Sequence, residues 1–231
     1  MKIAKAVTYW LFVICFPLLL LTSTVRYGTN NIHIYEYGFD KCNTSQVTGI
    51  DRTQLSEVAR RLIGYFNSEV ETPQIKVIKN GEEIELFQEN EQNCELTHLK
   101  DVKNLFHFGY LVQEIVLAYA IIYALVFLLW WKGRWRDLTR GIRRGCALTL
   151  VLIAVLGLAS IFVNFEPLFI QFHQFTFHNL CWMSTGHLPE LFCESFWQDI
   201  AMLGGGTIAV EALLLGGIVW AVPLIYQRRR H

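Results

Sequence analysis

Charge is scarce in this chain of 231 residues. Asp, Glu, Lys and Arg make up 17% of it, against about 25% in an ordinary soluble domain. The 20 basic residues balance the 20 acidic ones, so there is no net field that would attract a nucleic acid. With 53% hydrophobic residues, the composition argues against a soluble globule and excludes a nucleic-acid partner.

Several common signatures of catalytic and metal sites are also missing. The sequence has no Cys-x-x-Cys pair that would mark a redox thiol of low pKa. It has no His-x-x-x-His or paired ligand spacing that would favour zinc. No serine-based nucleophile elbow and no Cys–His pair stands out. We therefore predict neither a metal ion nor a cofactor.

What the chain does contain is four stretches almost free of charge. Each has the roughly 20 residues that a helix needs to cross a hydrocarbon core of about 30 Å. We predict transmembrane helices at residues 6–24, 108–131, 146–166 and 200–226. They separate a cap domain at 25–104, a basic loop at 132–145, a second connection at 167–199 and a tail at 227–231.

Basic residues set the orientation, because short cytoplasmic loops carry an excess of Lys and Arg. Residues 132–144 contain six of them, whereas residues 169–199 contain none. We expect an integral, multi-pass protein of the cell (cytoplasmic) membrane with both termini cytoplasmic and the 25–104 and 167–199 segments outside. The first span is expected to remain as an anchor, since no small-x-small cleavage site follows it.

The segment 25–104 reads as a small domain rather than a connector. Residues 51–67 show helical spacing of apolar residues behind a capping Asp51, and residues 75–86 alternate around Asn80-Gly81, a strong hairpin signal. From Leu96 the pattern is helical again and runs on into the second span. The expected fold class is an all-α membrane protein of four transmembrane helices with a small extracytoplasmic α+β cap.

Four of the six cysteines fall in the segments predicted to face outward: Cys42, Cys94, Cys181 and Cys193. An oxidising compartment would allow disulfides there, but the spacing does not choose among the three pairings that four cysteines permit. One interpretation is structural cysteines, paired or free. The other is a membrane thiol–disulfide oxidoreductase working on the outer face, which the missing Cys-x-x-Cys does not favour.

Five of the seven histidines flank the predicted outer boundary of the spans. Imidazole tolerates the headgroup region, and that explanation suffices for most of them. His98 differs because Asp101 follows on the same helical face, where a carboxylate can hold the ring tautomer. His173 lies among aromatic residues near the acyl-chain region. Two such imidazoles could handle both protons of an acyl transfer. We favour His98 as the base and His173 as the acid, and the exchanged roles stay open as the alternative.

Ionisable residues inside a span are functional candidates by default. Glu114 and Glu211 lie within predicted spans, and Glu166 lies at the outer end of the third. A protonated Glu hydrogen-bonded between helices is an equal alternative for each. We retain Glu166 as a supporting residue of the site.

Four segments carry a family resemblance. They are Thr48-Gly-Ile-Asp-Arg-Thr-Gln-Leu55, His98-Leu-Lys-Asp-Val-Lys103, Phe172-His-Gln-x-x-Phe-x-Asn179-x-x-Trp182 and Phe196-Trp-Gln-Asp199. In order and spacing they resemble the bacterial lipoprotein intramolecular transacylase (Lit) family of four-span membrane proteins. The resemblance covers most of the chain.

The resemblance implies an enzyme that moves the sn-2 acyl chain of a diacylglyceryl lipoprotein onto the α-amino group of its N-terminal cysteine, leaving a lyso-form lipoprotein. It implies His98 and His173 as the functional pair, with Asp101, Asn179, Asp199 and Glu166 in support. The implied partners are the lipoprotein substrate and membrane lipid, with the active site on the outer face. The alternatives are the thiol–disulfide oxidoreductase and a non-enzymatic membrane scaffold or sensor.

Overall fold

The computed structural model of the chain describes residues 2–79, 81–90, 93–183 and 185–228. Within these residues helices dominate, and short strands form two antiparallel hairpins. The helices are α1 (Lys2–Thr29), α2 (Ile32–Lys41), α3 (Thr44–Thr48), α4 (Arg52–Phe66), α5 (Glu95–Leu125), α6 (Trp135–Phe162), α7 (Phe165–Thr176), α8 (Leu188–Leu191) and α9 (Glu194–Arg228). The strands are β1 (Lys76–Lys79), β2 (Glu82–Glu85), β3 (Glu89–Asn90) and β4 (Asn93–Cys94).

Four helical segments of the described chain are long and apolar enough to cross a membrane: Ile3–Thr29, Glu95–Trp130, Trp135–Phe162 and Glu194–Ala221. Only 11–22% of the residues in their most apolar windows are buried within the protein. Most of these side chains therefore face outward, where lipid would surround them. The predicted fold class, four membrane helices with a small α+β part, is confirmed.

The helices extend beyond the predicted spans, because hydropathy marks where a helix turns apolar and not where it starts. α5 begins at Glu95, well before residue 108, and α9 begins at Glu194 rather than residue 200. The basic segment predicted as a loop is largely the first turns of α6, since Arg side chains extend from a helix as readily as from a loop. Residues 229–231 of the predicted tail lie outside the described residues.

The chain divides into two compact units. The first, which we call the span unit, comprises Met1–Val25, Gly109–Phe162 and Leu203–His231. Phe12 of α1 stacks on Tyr123 of α5 with ring centroids 4.6 Å apart, and a Cβ atom on Gly145 of α6 would overlap Phe16. Small residues at helix contacts of this kind permit the close approach typical of membrane helices.

One membrane carboxyl has a partner inside the span unit. The Thr24 hydroxyl donates to Oε2 of Glu211 at 3.2 Å. This is the hydrogen bond between helices that the sequence left open as the alternative to a functional role. Glu211 is therefore explained by packing of α1 against α9.

The second unit, which we call the cap unit, comprises Arg26–Phe108 and Val163–Met202. Its core centres on α4, whose apolar face is buried and whose first turn is capped by the Asp51 side chain, as predicted. Fully buried side chains from connecting segments and from α8 complete this core: Ile50, Ile75, Leu86, Phe87 and Leu191. The helical spacing and the hairpin pattern of segment 25–104 predicted this mixture of α and β structure, and the unit also includes Val163–Met202.

The predicted hairpin forms from β1 and β2. Val77 pairs with Ile84 in antiparallel register, and Gly81 has a φ of +85°, a value that favours glycine in a tight turn. Asn80 of the predicted turn lies outside the described residues. The second hairpin, β3 with β4, was not predicted, because strands of two residues show no periodicity.

Two disulfides lie within the cap unit, Cys42–Cys193 and Cys94–Cys181. They span 151 and 87 residues of sequence, so each ties the segment before the second membrane helix to the segment after the third. This selects one of the three pairings that the sequence left open. Cys15 and Cys146 are buried and free, as expected for small packing residues.

Candidate active site

His98 lies in the first turns of α5, where the helix is anchored to the start of α8. Glu95, the first residue of α5, is fully buried, and its carboxylate accepts a hydrogen bond from the backbone N–H of Leu188 at 2.6 Å. A Cβ atom on Gly186 would overlap that carboxylate, so the fold requires glycine there. Because one turn of helix is rigid, this anchor helps to fix the position of His98.

His173 lies in the last turn of α7 and is 7% exposed. Its Nδ1 is 2.7 Å from the carbonyl oxygen of Phe169, one turn earlier. Because a carbonyl oxygen only accepts, Nδ1 must carry the proton, and the neutral ring then presents Nε2 as an acceptor. Burial lowers the pKa of His173, and the hydrogen bond to Phe169 offsets part of that shift. The neutral ring, which can act as a base, is favoured.

The two imidazoles meet inside a cluster of aromatic rings. Their centroids are 6.0 Å apart, and the Phe177 ring contacts both, at 5.1 Å from His98 and 5.5 Å from His173. Phe169 and Trp182 also contact His173, at 4.1 and 5.0 Å. Two adjacent imidazolium ions in such apolar surroundings would repel strongly. At most one of the two rings is therefore expected to be protonated to the charged form at a time. The arrangement suits taking up one proton and releasing it again.

Asp101 does not hold the tautomer of His98, contrary to the prediction. Its Oδ2 instead accepts a hydrogen bond from Nδ2 of Asn179 at 2.7 Å. Asn179 in turn accepts at Oδ1 from the backbone N–H of Cys181 at 3.0 Å. The three-residue spacing placed Asp101 on the correct helical face, but a competing partner from another segment decides where the carboxylate points. Asp101 thus positions Asn179 and the turn that follows it.

Nδ1 of His98 has no hydrogen-bond partner although it is buried. In the described part of the chain, only one other buried side-chain nitrogen or oxygen shares this condition, Nε1 of Trp182. Both atoms belong to rings that contact His173. Most buried polar groups in native proteins are paired, so two unpaired ones in a single cluster need an explanation.

Asp199 lies in another cluster of the cap unit. Its Oδ2 accepts hydrogen bonds from the Tyr37 hydroxyl at 2.5 Å and from Nζ of Lys41 at 2.6 Å. About a third of the Lys41 and Asp199 side chains is exposed, at 36% and 34%. The structure therefore links Asp199 to α2, and no described contact joins it to His98 or His173.

Glu166 is also separate from the pair. It lies in the first turn of α7 rather than at the end of the third span, and its side chain is exposed. A carboxylate at a helix N-terminus is favoured by the helix dipole, which accounts for its position. Among the described residues, none donates a hydrogen bond to it.

The remaining histidines of this region have ordinary surroundings, as the sequence indicated. His107 Nε2 lies 2.9 Å from the carbonyl oxygen of Phe66, and His187 Nδ1 lies 2.6 Å from Glu190. His178 is exposed. None of the three contacts the imidazole pair through a described hydrogen bond.

Sequence reasoning gave no role to Glu95 or Trp182. Glu95 counted only as one of many surface charges of the cap, although its carboxylate is fully buried. Trp182 belongs to the segment that carries the family resemblance, and its spacing from His173 was the one signal that could have marked it. Within the described residues, no group of three or more His, Cys, Asp or Glu side chains could hold a metal ion.

Comparison with known proteins identifies a family and a fold. A family model described as "Lipoprotein intramolecular transacylase Lit" matches residues 10–197, most of the chain. No curated protein sequence matches the chain significantly.

Solved structures of one membrane protein share the fold over its full length. The in meso structure of the membrane integral lipoprotein intramolecular transacylase Lit from Bacillus cereus superposes with a TM-score of 0.71 at 17% identity, covering 100% of both chains. Two variants of that protein, in which a histidine is replaced by arginine or by alanine, give TM-scores of 0.75 at 16% identity. They cover 99% and 100% of this chain, and 95% and 97% of their own chains.

Proposed function

The chain belongs to the lipoprotein intramolecular transacylase (Lit) family, and on that premise we propose a specific acyl transfer. The substrate is a bacterial lipoprotein whose N-terminal cysteine carries a diacylglyceryl group. The enzyme moves the sn-2 acyl chain to the α-amino group of that cysteine, which leaves a lyso-form lipoprotein. The family match gives no support to the thiol–disulfide oxidoreductase or the scaffold as alternatives.

The reaction needs no energy source, because the amide product is more stable than the ester. The α-amino nitrogen attacks the ester carbonyl carbon, and the carbonyl π electrons move to its oxygen. The nitrogen then loses a proton, the C–O bond to glycerol breaks, and the glycerol oxygen takes up a proton. One proton has moved from nitrogen to oxygen. Since amine and ester belong to one molecule, holding them in line supplies a large effective molarity.

The observation that carries this proposal is the imidazole pair, 6.0 Å apart among aromatic rings. When the neutral amine has attacked, the nitrogen of the tetrahedral intermediate carries the proton that a histidine base can accept. We assign the base to Nε2 of His173, because the Phe169 carbonyl oxygen accepts from its Nδ1 and leaves Nε2 as the acceptor of the ring. His98 then passes a proton to the departing glycerol oxygen as it gains one from His173. This exchanges the roles that the sequence favoured, since Asp101 accepts from Asn179 and does not hold the tautomer of His98.

We further propose that the pair works at the outer surface of the membrane. His98 lies about ten residues before the apolar part of α5, which is about 15 Å along a helix. That depth suits a headgroup layer in which the amine and the sn-2 ester of an anchored lipoprotein must both lie. The six basic residues in 132–144 and their absence from 169–199 support cytoplasmic termini and an external cap.

Mass spectrometry of a reporter lipoprotein coexpressed with the enzyme tests the proposal. The N-terminal lipopeptide should carry one acyl chain on nitrogen and one on glycerol. The matched control is the double variant His98→Gln, His173→Gln, expressed at the same level, which should leave the diacylglyceryl form unchanged. A wild-type protein that is folded, membrane-inserted and yields no N-acylated product would refute the assignment.

A further inference from the structure

The unpaired atoms of the aromatic cluster are the starting point. Among the described residues, only Nδ1 of His98 and Nε1 of Trp182 are buried without a partner. Their rings both lie close to His173, with centroids 6.0 and 5.0 Å from its own. Leaving two such groups unsatisfied destabilises the fold. A bound substrate that supplies the missing partners would account for both.

The chemistry of the indole restricts what its partner can be. An indole N–H only donates, so Trp182 needs an acceptor. In a transfer from ester to amine, the carbonyl oxygen is the acceptor whose negative charge grows in the transition state. Donors aimed at such an oxygen often contribute the largest single share of catalysis.

We propose that the N–H of Trp182 stabilises the oxyanion of the tetrahedral intermediate. This inference rests on the proposed acyl transfer and adds a catalytic residue to it. The carbonyl π electrons move to oxygen when the amine attacks, and Trp182 donates a hydrogen bond to that oxygen without losing its proton. The electrons return to the carbonyl bond when the C–O bond to glycerol breaks.

The position of Trp182 is held from several directions, as such a donor requires. It lies in the 3₁₀ turn Cys181–Met183, directly after the cysteine that is bonded to Cys94. The backbone N–H of Cys181 also donates to Asn179, which Asp101 of α5 holds in turn. Stabilisation of an oxyanion depends on donors that need no rearrangement during the reaction.

The Cys94–Cys181 disulfide and the Asp101–Asn179 hydrogen bond also connect the turn that carries Trp182 to the helix that carries His98. Cys94 immediately precedes α5, and His98 follows four residues later on that helix. The ring of Trp182 contacts His173 at 5.0 Å. The disulfide and the Asp101–Asn179 hydrogen bond therefore fix the indole relative to both histidines. They act as positioning groups for the donor.

The alternative is that Trp182 only packs against His173. A packing role needs the shape and area of the ring, whereas an oxyanion role needs its N–H. Replacing the indole of Trp182 by benzothiophene, in which sulfur takes the place of N–H, separates the two because the bicyclic shape is kept. Trp182→Phe, which removes the donor and part of the ring, is a second variant, and Trp135→Phe is a control at an exposed tryptophan of α6.

Each protein is assayed with a purified diacylated lipopeptide in detergent, with thermal melting alongside. We expect the benzothiophene protein to melt no lower than the wild type, because it loses an unsatisfied buried donor, with kcat lower by about 10²–10³-fold and KM nearly unchanged. Trp182→Phe should lose at least as much kcat, and Trp135→Phe should keep it. A phosphonate analogue of the sn-2 ester, which carries a negative oxygen at the same place, should bind less tightly to the benzothiophene protein by a similar factor.

Near-normal kcat in the benzothiophene protein overturns the inference, as does a loss that appears in KM alone. Unchanged affinity for the phosphonate also overturns it. Failure of the proposed function gives a different result, since the wild type itself would then form no N-acyl product. Wild-type turnover with an equally active benzothiophene protein would leave the acyl transfer in place and assign the indole to packing.

Discussion

Two polar clusters of the cap unit, both predicted from the sequence as parts of one site, differ in how well their atoms are satisfied. Asp199 is bonded to Tyr37 and Lys41, and its side chain is partly exposed. His98 and His173 are enclosed by aromatic rings, and Nδ1 of His98 has no partner. A satisfied and solvated cluster can stabilise a fold without doing chemistry. A buried cluster with unpaired atoms costs stability, and that cost is expected where a substrate completes the bonding.

The largest expected effect comes from replacing the two histidines of the buried aromatic cluster. His98→Gln and His173→Gln should each lower turnover by about 10²–10⁴-fold, because general acid–base catalysis contributes on that scale. The double variant should be little worse than either single one, since residues that act as a unit are not additive. Conversion of a purified diacylated lipopeptide measures this, and thermal melting monitors folding.

His178→Gln is the matched control, because His178 is close in sequence to His173 but is exposed. It should keep turnover within about threefold, as surface substitutions away from special features usually have small effects. A folded His98→Gln or His173→Gln protein with near-normal turnover would remove the pair from the mechanism.

The second prediction concerns pH and uses the lowered pKa of His173. If the neutral ring is the base, kcat/KM falls as pH drops through the pKa of the free enzyme, by about tenfold per pH unit below it. Because burial lowers that pKa, the acid limb should lie below the ordinary histidine value of about 6.5. The part of the limb that His173 contributes should be absent in His173→Gln, whereas His98, 6.0 Å from it in the wild type, remains in that variant.

Folding stability should depend on pH in the same region. The unfolded chain binds a proton at the ordinary histidine pKa, before the folded protein does. Stability is therefore intact above about pH 6.5 and is lost as pH falls toward the lower folded pKa of His173. The melting temperatures of the wild type and of His173→Gln, plotted against pH, should converge as pH falls. Parallel curves would show that the His173 ring does not titrate as burial requires.

The third prediction concerns the bond that links the pair to its surroundings. Asp101→Ala should lower turnover by about tenfold and stability by about 1.5–3 kcal/mol, the range for a hydrogen bond to a charged group. Both side chains are half-buried, so solvent replaces the lost partner only in part. The double exchange Asp101→Asn, Asn179→Asp reverses donor and acceptor and should recover much of the loss.

That exchange distinguishes a positioning role from a catalytic one. A carboxylate at residue 179 still accepts from the backbone N–H of Cys181, so the turn before Trp182 keeps its tie. If Asp101 acted on the substrate or on the ring of His98, moving the charge to position 179 would not restore kcat. The double-mutant cycle consists of Asp101→Asn, Asn179→Asp and the double variant. For each protein the free energy of unfolding, from chemical denaturation, and kcat are measured.

How well the sequence predicts a structural feature depends on how far apart along the chain the interacting residues lie. The α4 helix with its Asp51 cap and the β1–β2 hairpin follow from short local patterns, and the four apolar helices follow from uncharged runs of about 20 residues. The structure confirms these elements. The two disulfides join residues 151 and 87 positions apart, a separation that no local pattern encodes. The extent of α5 beyond its apolar part follows from helical periodicity after Leu96.

Within the site, residue types were easier to predict than partners. Asp101 and Asn179 were both named as supporting residues, yet their bond to each other was not foreseen, because it joins α5 to a segment 78 residues away. Spacing along one helix could only suggest His98 as the partner of Asp101. The burial of Glu95 and the unpaired N–H of Trp182 are properties of the folded core, and no sequence pattern reports them.

The smallest expected effect comes from the satisfied cluster. Asp199→Asn keeps the shape of the side chain and removes its charge, and water can reach both Asp199 and Lys41. Ion pairs that remain solvated contribute little, so turnover should change by less than about threefold and the melting temperature by only a few degrees. Glu166→Gln, at an exposed position of α7, should have an equally small effect on turnover.

The lipopeptide assay measures both variants beside His98→Gln under identical conditions. Asp199→Asn could instead lose as much turnover as His98→Gln while melting normally. That result would mean that the number of unpaired atoms does not distinguish a catalytic cluster from a structural one. Asp199 would then belong to the substrate site together with the imidazole pair, as the family resemblance alone implied.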